Sequence, residues 1–150
     1  MCVFLIQSTP SCKTFGITES RLDSRISDRD INNQNYCISR KDSADIGQTG
    51  IAVYVHNSIT DITQRRQDLE SDLVKCIWLE LKPSTNAPDI FVCCCFCFCF
   101  VFVLYRNPSV SYEWFDNFVQ MIDNIDTVKP HADILVLGEF NIDLLKPHST

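Results

Sequence analysis

Apolar positions along the chain fall into short runs separated by polar, turn-forming stretches, a pattern that predicts several strands and one helix. Lys13 to Thr18 predicts a short buried strand ending at the polar Thr18-Glu19-Ser20. Arg21 to Asn35 is rich in Asp, Arg, Ser and Asn and predicts a surface loop or broken helix. Tyr36 to Arg40 predicts a strand, and Gly47 and Gly50 punctuate a turn before the β-rich run Ile51-Ala52-Val53-Tyr54-Val55. Gln64 to Asp72 is highly charged and predicts an exposed connection. Leu73 to Leu81 predicts a strand with Val74, Cys76, Trp78 and Glu80 on one face and Leu73, Lys75, Ile77, Leu79 and Leu81 on the other. Lys82 to Asp89, with Pro83 and Pro88, predicts a turn.

The clearest helix is Ser111 to Asp126. Ser111 can cap it, and Trp114, Phe115, Phe118, Met121, Ile122 and Ile125 form one apolar stripe at the helical period. Pro130 closes the following connection, and the continuous run Ile134-Leu135-Val136-Leu137 predicts a central strand. Several strands with one late helix imply an α/β or α+β sandwich, in a single domain over residues 1–150.

One segment departs from this rhythm. Ile90 to Leu104 holds 15 residues without a charge, dominated by Phe and Cys. A helix needs about 20 residues to span a bilayer, so the run falls short of a membrane anchor. Its alternation suits β structure, and it reads as a low-complexity strand of about 6 ordinary residues lengthened by repetitive sequence. Exposed to solvent, it would promote aggregation.

Composition narrows the picture. With 45% hydrophobic and 21% charged residues, the chain is not wholesale disordered. The net charge of -6 excludes a protein that grips DNA through a broad basic surface, so a nucleic-acid role must rest on a site. Of nine cysteines, Cys93, Cys94, Cys95, Cys97 and Cys99 sit inside the apolar run, where strand neighbours point to opposite faces and cannot easily bridge. Cys2, Cys12, Cys37 and Cys76 are scattered without a zinc-like pair. Reduced thiols in an intracellular protein, nuclear or cytoplasmic, are the better reading. Met1 to Ile6 is apolar but has no basic leader and no long hydrophobic region, so a secreted protein is not expected.

The candidate chemistry lies at strand ends. Phe15-Gly16-Ile17-Thr18-Glu19-Ser20-Arg21-Leu22 resembles the "strand, then T-E-[ST]-x-L" element of the endonuclease/exonuclease/phosphatase (DNase I-like) domain. Gly50-Ile51-Ala52-Val53-Tyr54-Val55 resembles that family's Gly-rich turn and strand, and Tyr105-Arg106-Asn107-Pro108 its Tyr-Arg-x-Pro element. Ile134-Leu135-Val136-Leu137-Gly138-Glu139-Phe140-Asn141-Ile142-Asp143 resembles an apolar strand ending in G-D-F-N-[IV]-D. The order of these elements, with Ile142-Asp143-Leu144-Leu145 and Glu19-Ser20-Arg21-Leu22-Asp23, is most similar to the branch carried by LINE-type non-LTR retrotransposons.

The resemblance implies a partial DNase I-like fold and a magnesium-dependent DNA endonuclease, with no small-molecule cofactor. It implies Glu19 as the Mg2+ ligand, Glu139 in proton transfer, Asn141 in orienting phosphate or nucleophile, and Tyr105 and Arg106 in holding the phosphodiester. A hard cation takes carboxylate oxygen, often from one or two residues, and a neutral donor beside a cation suits a phosphate. Glu139 stands where the family has Asp, displacing the carboxylate by about an ångström, and a misplacement of about 1 Å can cost about 100-fold in rate.

Two family elements have no counterpart. The family opens with an asparagine-bearing strand, and none is expected in the 12 residues before Lys13. It closes with a Ser-Asp-His element, and no such triplet follows Asn141. His56 and His131 have no nucleophile or metal-ligand partner near them in sequence and read as surface residues, and His148, in Pro147-His148-Ser149, reads as a free tail residue. The expected product is a fragment, truncated at both ends, with one sheet short of cover and little activity. The alternatives are a membrane-associated or aggregating product organised around residues 90–104, or a related phosphatase, since one fold hosts many chemistries.

Overall fold

Hydrogen bonding between strands resolves the alternating runs into two sheets. The structure is a computed structural model that describes residues 2–8, 11–42, 50–71, 74–82, 99–106, 113–130 and 133–139. The strands are β1 (Cys2–Ser8), β2 (Ser11–Thr18), β3 (Tyr36–Lys41), β4 (Ile51–His56), β5 (Thr63–Arg65), β6 (Cys76–Leu81), β7 (Cys99–Tyr105) and β8 (Asp133–Glu139). A 3-10 turn at Asn57–Ile62 joins β4 to β5, a second spans Gln67–Leu69, and the helix α1 runs from Glu113 to Val128. The first sheet has the order β1-β2-β4-β3, the second β5-β6-β7-β8. All pairs are antiparallel except β7 with β8, which α1 connects as a parallel crossover.

The sheets pack face to face, and α1 covers the far side of the second sheet. One core cluster joins Ile51, Val53 and Val55 of β4, with Ile59, to Ile77, Leu79 and Leu81 of β6, and Leu137 of β8 packs against it. The other joins Cys76 and Trp78 of β6, with Val74, to Trp114, Met121 and Ile125 of α1. Strand β6 is therefore buried on both faces, and its alternation divides the two cores as its sequence predicts. Trp78, Ile77 and Leu79 are fully buried, each contributing about 2–3 kcal/mol of apolar transfer free energy. The result is a mixed, α+β-type sandwich of sheet, sheet and helix.

The outer face of the first sheet carries an aromatic row. Phe15 stacks on Tyr54 with ring centroids 4.6 Å apart and meets Tyr36 edge-on, while the Tyr54 hydroxyl donates to the Ile31 carbonyl at 3.0 Å. That bond ties the polar segment 21–35 across this face.

β1 forms a hairpin with β2 and, carrying no asparagine, is not the asparagine-bearing strand with which the resembled family opens. Two sequence expectations are corrected here. The charged segment after Gln64 is not simply an exposed connection, because Thr63–Arg65 pairs with β6 and Arg66 reaches a buried carboxylate. Nor does the first sheet lack a cover, since the β6 and β8 side chains fill its inner face. Within the apolar run, Cys99–Tyr105 is a strand flanked by β6 and β8, while residues 90–98 lie outside the described residues. The expected turns at Gly47 and at Pro83 to Asp89, the Ser111 cap, and His131 and His148 also lie outside them.

Candidate functional site

Strand polarity decides which motifs meet. The 3-10 turn after His56 leads into β5, whose Thr63 pairs with Leu81, and Lys82 donates its amide to the Ile62 carbonyl at 2.7 Å. The carboxyl end of β4 thus sits over the carboxyl end of β6, and over the starts of β7 and β8 that pair in register there. At the opposite end of the sandwich lie Ile51 and its partner Thr18, together with Leu104, Gly138 and the start of β6. Lys41, paired with Ile51, donates to the Ser71 carbonyl at 2.9 Å and fixes this end of one sheet to the approach to β6. Strand β2 lies across β7 and β8. Glu19, Tyr105 and Glu139 are therefore brought to one end of the sandwich, and Tyr105 pairs directly with Glu139 across the parallel ladder.

The local backbone at these positions is unusual. Glu19 and Arg21 adopt φ of 52° and 53°, left-handed values that cost non-glycine residues energy and persist only where the surroundings impose them. The surroundings do so here: Ser20 donates its amide to the Gly50 carbonyl at 3.0 Å, and the Ser20 hydroxyl lies so close to Gly50 that a Cβ there would stand 2.6 Å from it. Gly50, which the sequence offers only as a turn residue, is what lets the Glu19 turn sit against the start of β4. Gly138 has φ 148°, a conformation that glycine tolerates at the end of β8 just before Glu139.

Beneath the turn, the Thr18 hydroxyl is buried and has no hydrogen-bond partner among the described residues. Such an orphan is rare in a folded interior and marks a place for water or an ion. A carboxylate residue that follows a buried hydroxyl at the end of a strand offers the donor types a hydrated Mg2+ takes, most of its shell being water and phosphate oxygen. Among the described residues no cluster of three or more His, Cys, Asp or Glu side chains could form a cage. Among the described residues, Glu19 and the Thr18 hydroxyl are those that would stand nearest such an ion in sequence.

Arg106 follows β7 at the same end. Its guanidinium carbon stands 5.1 Å from the Phe115 ring centre and 5.9 Å from that of Trp114, so the first turn of α1 holds it by cation–π contact. Stacking engages the face of the guanidinium, and a phosphate would use its in-plane donors. Asn141 lies outside the described residues, as do the side chains of Tyr105 and Glu139.

Elsewhere, the His56 ring nitrogen Nδ1 accepts from the Ser58 amide at 3.1 Å and lies 2.8 Å from its hydroxyl. This Ser–His pair, which sequence spacing did not single out, caps the 3-10 turn and stands at the end of β4 away from Glu19. No helix among the described residues is long and apolar enough to cross a membrane. Neither a protein-family model nor any curated protein sequence matches the chain.

Proposed function

We propose that the chain is a fragment of a DNase I-like endonuclease/exonuclease/phosphatase domain of the LINE retrotransposon type, and that the intact fold hydrolyses a DNA phosphodiester with Mg2+. One observation carries this reading: motifs more than a hundred residues apart in sequence reach the same end of the sandwich, with Tyr105 and Glu139 paired. In this reading Glu19 holds the metal with help from water seated at the Thr18 hydroxyl. Glu139 exchanges the proton of the attacking water or leaving oxygen, Asn141 orients the phosphate, and Tyr105 and Arg106 hold its oxygens. Bound magnesium would supply charge neutralisation for the phosphodiester and acidify water.

The 150-residue chain itself is proposed to nick DNA at close to the background rate. Glu139 is one methylene longer than the family's Asp. Interdependent catalytic groups fail together, so one defect removes most of the rate. Supercoiled plasmid incubated with the purified protein and Mg2+, then with chelator, tests this directly. Little conversion to nicked circles is expected. Robust, chelator-sensitive nicking that disappears in Glu19→Ala would overturn the inactivity and support the site. Nicking indifferent to Glu19→Ala would overturn the assignment of Glu19.

A further inference from the structure

The Glu19 turn is gripped at two points, and the second grip lies on a different strand from the first. Downstream of the turn, Arg40 of β3 donates through Nη2 to the Asp23 backbone carbonyl at 3.2 Å. The same guanidinium meets Asp42 at 2.8 Å and Asp28 at 3.2 Å, and its side chain is only 17% exposed. The Asp23 carboxylate closes the segment on itself, accepting from the Arg25 backbone amide at 2.9 Å and from its guanidinium at 2.9 and 2.6 Å. Upstream, Ser20 is bonded to Gly50. Of the two left-handed residues, Arg21 stands between these anchors, and Glu19 stands immediately before Ser20, next to Thr18, which pairs with Ile51.

We propose that Arg40 is a positioning residue for the cation site: by anchoring Asp23 it completes the clamp on the turn in which Glu19 and Arg21 are left-handed. This rests on the reading of Glu19 as a metal ligand. The left-handed conformation is disfavoured for glutamate and for arginine, so the turn relaxes once an anchor is lost. β3 is the neighbour of β4, and Arg40 and Gly50 therefore act on the turn from one rigid unit. Arg40 does not itself reach the cation. Its effect passes through the backbone.

Coulomb's law gives this proposal a sign that separates it from a purely electrostatic role. Removing a positive charge near a cation site strengthens cation binding, whereas loosening the ligand weakens it. Mn2+ serves as the probe, its binding read by loss of the free-ion electron paramagnetic resonance signal at a temperature well below the unfolding transition of each variant. The parent chain is expected to bind weakly, and Glu19→Gln to lose most of that binding. Arg40→Met is expected to weaken Mn2+ binding about tenfold, as for other groups that orient a metal ligand. Gly50→Ala is expected to act in the same direction, because its Cβ must push the Ser20 hydroxyl away, and it carries the test should Arg40→Met unfold.

Parent-like or tighter Mn2+ binding in folded Arg40→Met, with Glu19→Gln defective, would overturn the clamp and leave the metal reading standing. The same result in Gly50→Ala, where that variant carries the test, has the same meaning. Equal binding by parent and Glu19→Gln, or no binding by the parent at millimolar Mn2+, would overturn the metal reading and the clamp with it.

Discussion

The pair Arg66–Glu80 offers the sharpest test of how this fold tolerates charge in its core. Glu80 lies on the helix-facing side of β6 with its side chain 3% exposed, and Arg66 Nη1 meets it at 2.6 Å. Lys129, at the end of α1, approaches the other oxygen at 3.5 Å and is itself a third exposed. Arg66 also pairs with Asp68 at 2.7 Å, but that carboxylate is 61% exposed, so screening leaves it worth less than about 1 kcal/mol. Arg66→Met strands a buried carboxylate with one distant cation. Breaking a buried pair costs about 3–5 kcal/mol, and the remaining lysine places this case at the lower end.

For a domain of this size each kcal/mol moves the melting temperature by about 2–4 °C, so Arg66→Met should lower Tm by roughly 6–12 °C. Glu80→Leu should cost less, because Arg66 keeps its forked bond to Asp68. The double variant Arg66→Met/Glu80→Leu should return to within about 2 kcal/mol of the parent, since an apolar pair of similar volume escapes the desolvation cost. Thermal unfolding followed by far-ultraviolet circular dichroism gives all three values. If the double variant is as unstable as the sum of the single changes, uncompensated burial of charge is not the dominant effect and the reasoning fails.

Two further outcomes follow from the titrating groups. Hydrogen bonds from Arg25 hold the Asp23 carboxyl at a pKa of about 2, below its ordinary 3.8. A lowered folded pKa means that its stabilisation is complete above the ordinary value and is lost as pH falls towards 2. The Tm difference between parent and Asp23→Asn should therefore shrink between pH 4 and pH 2, and a difference constant over that window would refute the linkage. Burial raises the Cys76 thiol to about 11, while Cys37 is exposed. Iodoacetamide at pH 8, read by peptide mass mapping, should modify Cys37 in the native protein and Cys76 only after denaturant is added; rapid native labelling of Cys76 would contradict its burial.

What the sequence made legible were elements whose own pattern suffices. The apolar stripe from Trp114 to Ile125 locates α1, and the alternation through Cys76, Ile77, Trp78 and Leu79 assigns both faces of β6 correctly, including the buried side for Glu80. β5 was hidden because Thr63–Arg65 is three polar residues long and exists as a strand only through its pairing with β6. β1 was hidden for a related reason: a brief apolar run reads as a strand only once β2 provides its hairpin partner. The charges of residues 64–72 predicted solvent, yet Arg65 forms a forked pair with Glu70, whose side chain is 8% exposed. Composition counts charges, but pairing decides whether they can be buried.

The candidate site shows the same division between local and assembled information. A strand followed by Thr18-Glu19-Ser20 is a weak signal because solvated carboxylates end many strands. Its neighbourhood is what changes its meaning: left-handed backbone at Glu19, a Thr18 hydroxyl unsatisfied among the described residues, and a glycine at position 50 that no side chain could replace without moving Ser20. None of these can be read from the motif, because each is created by β4 or by packing between sheets. The polarity that brings β2, β7 and β8 to one end depends in turn on the 3-10 turn at Asn57–Ile62, which carries the chain from the first sheet to the second at the far end. A connection leaving β4 there sends β5 back toward the Ile51 end, β6 away from it and β7 back again, so the parallel crossover through α1 then places Glu139 level with Tyr105. Strain at Glu19 together with convergence of the strand ends is the combination that supports the proposed site, since an ordinary strand terminus has no use for either.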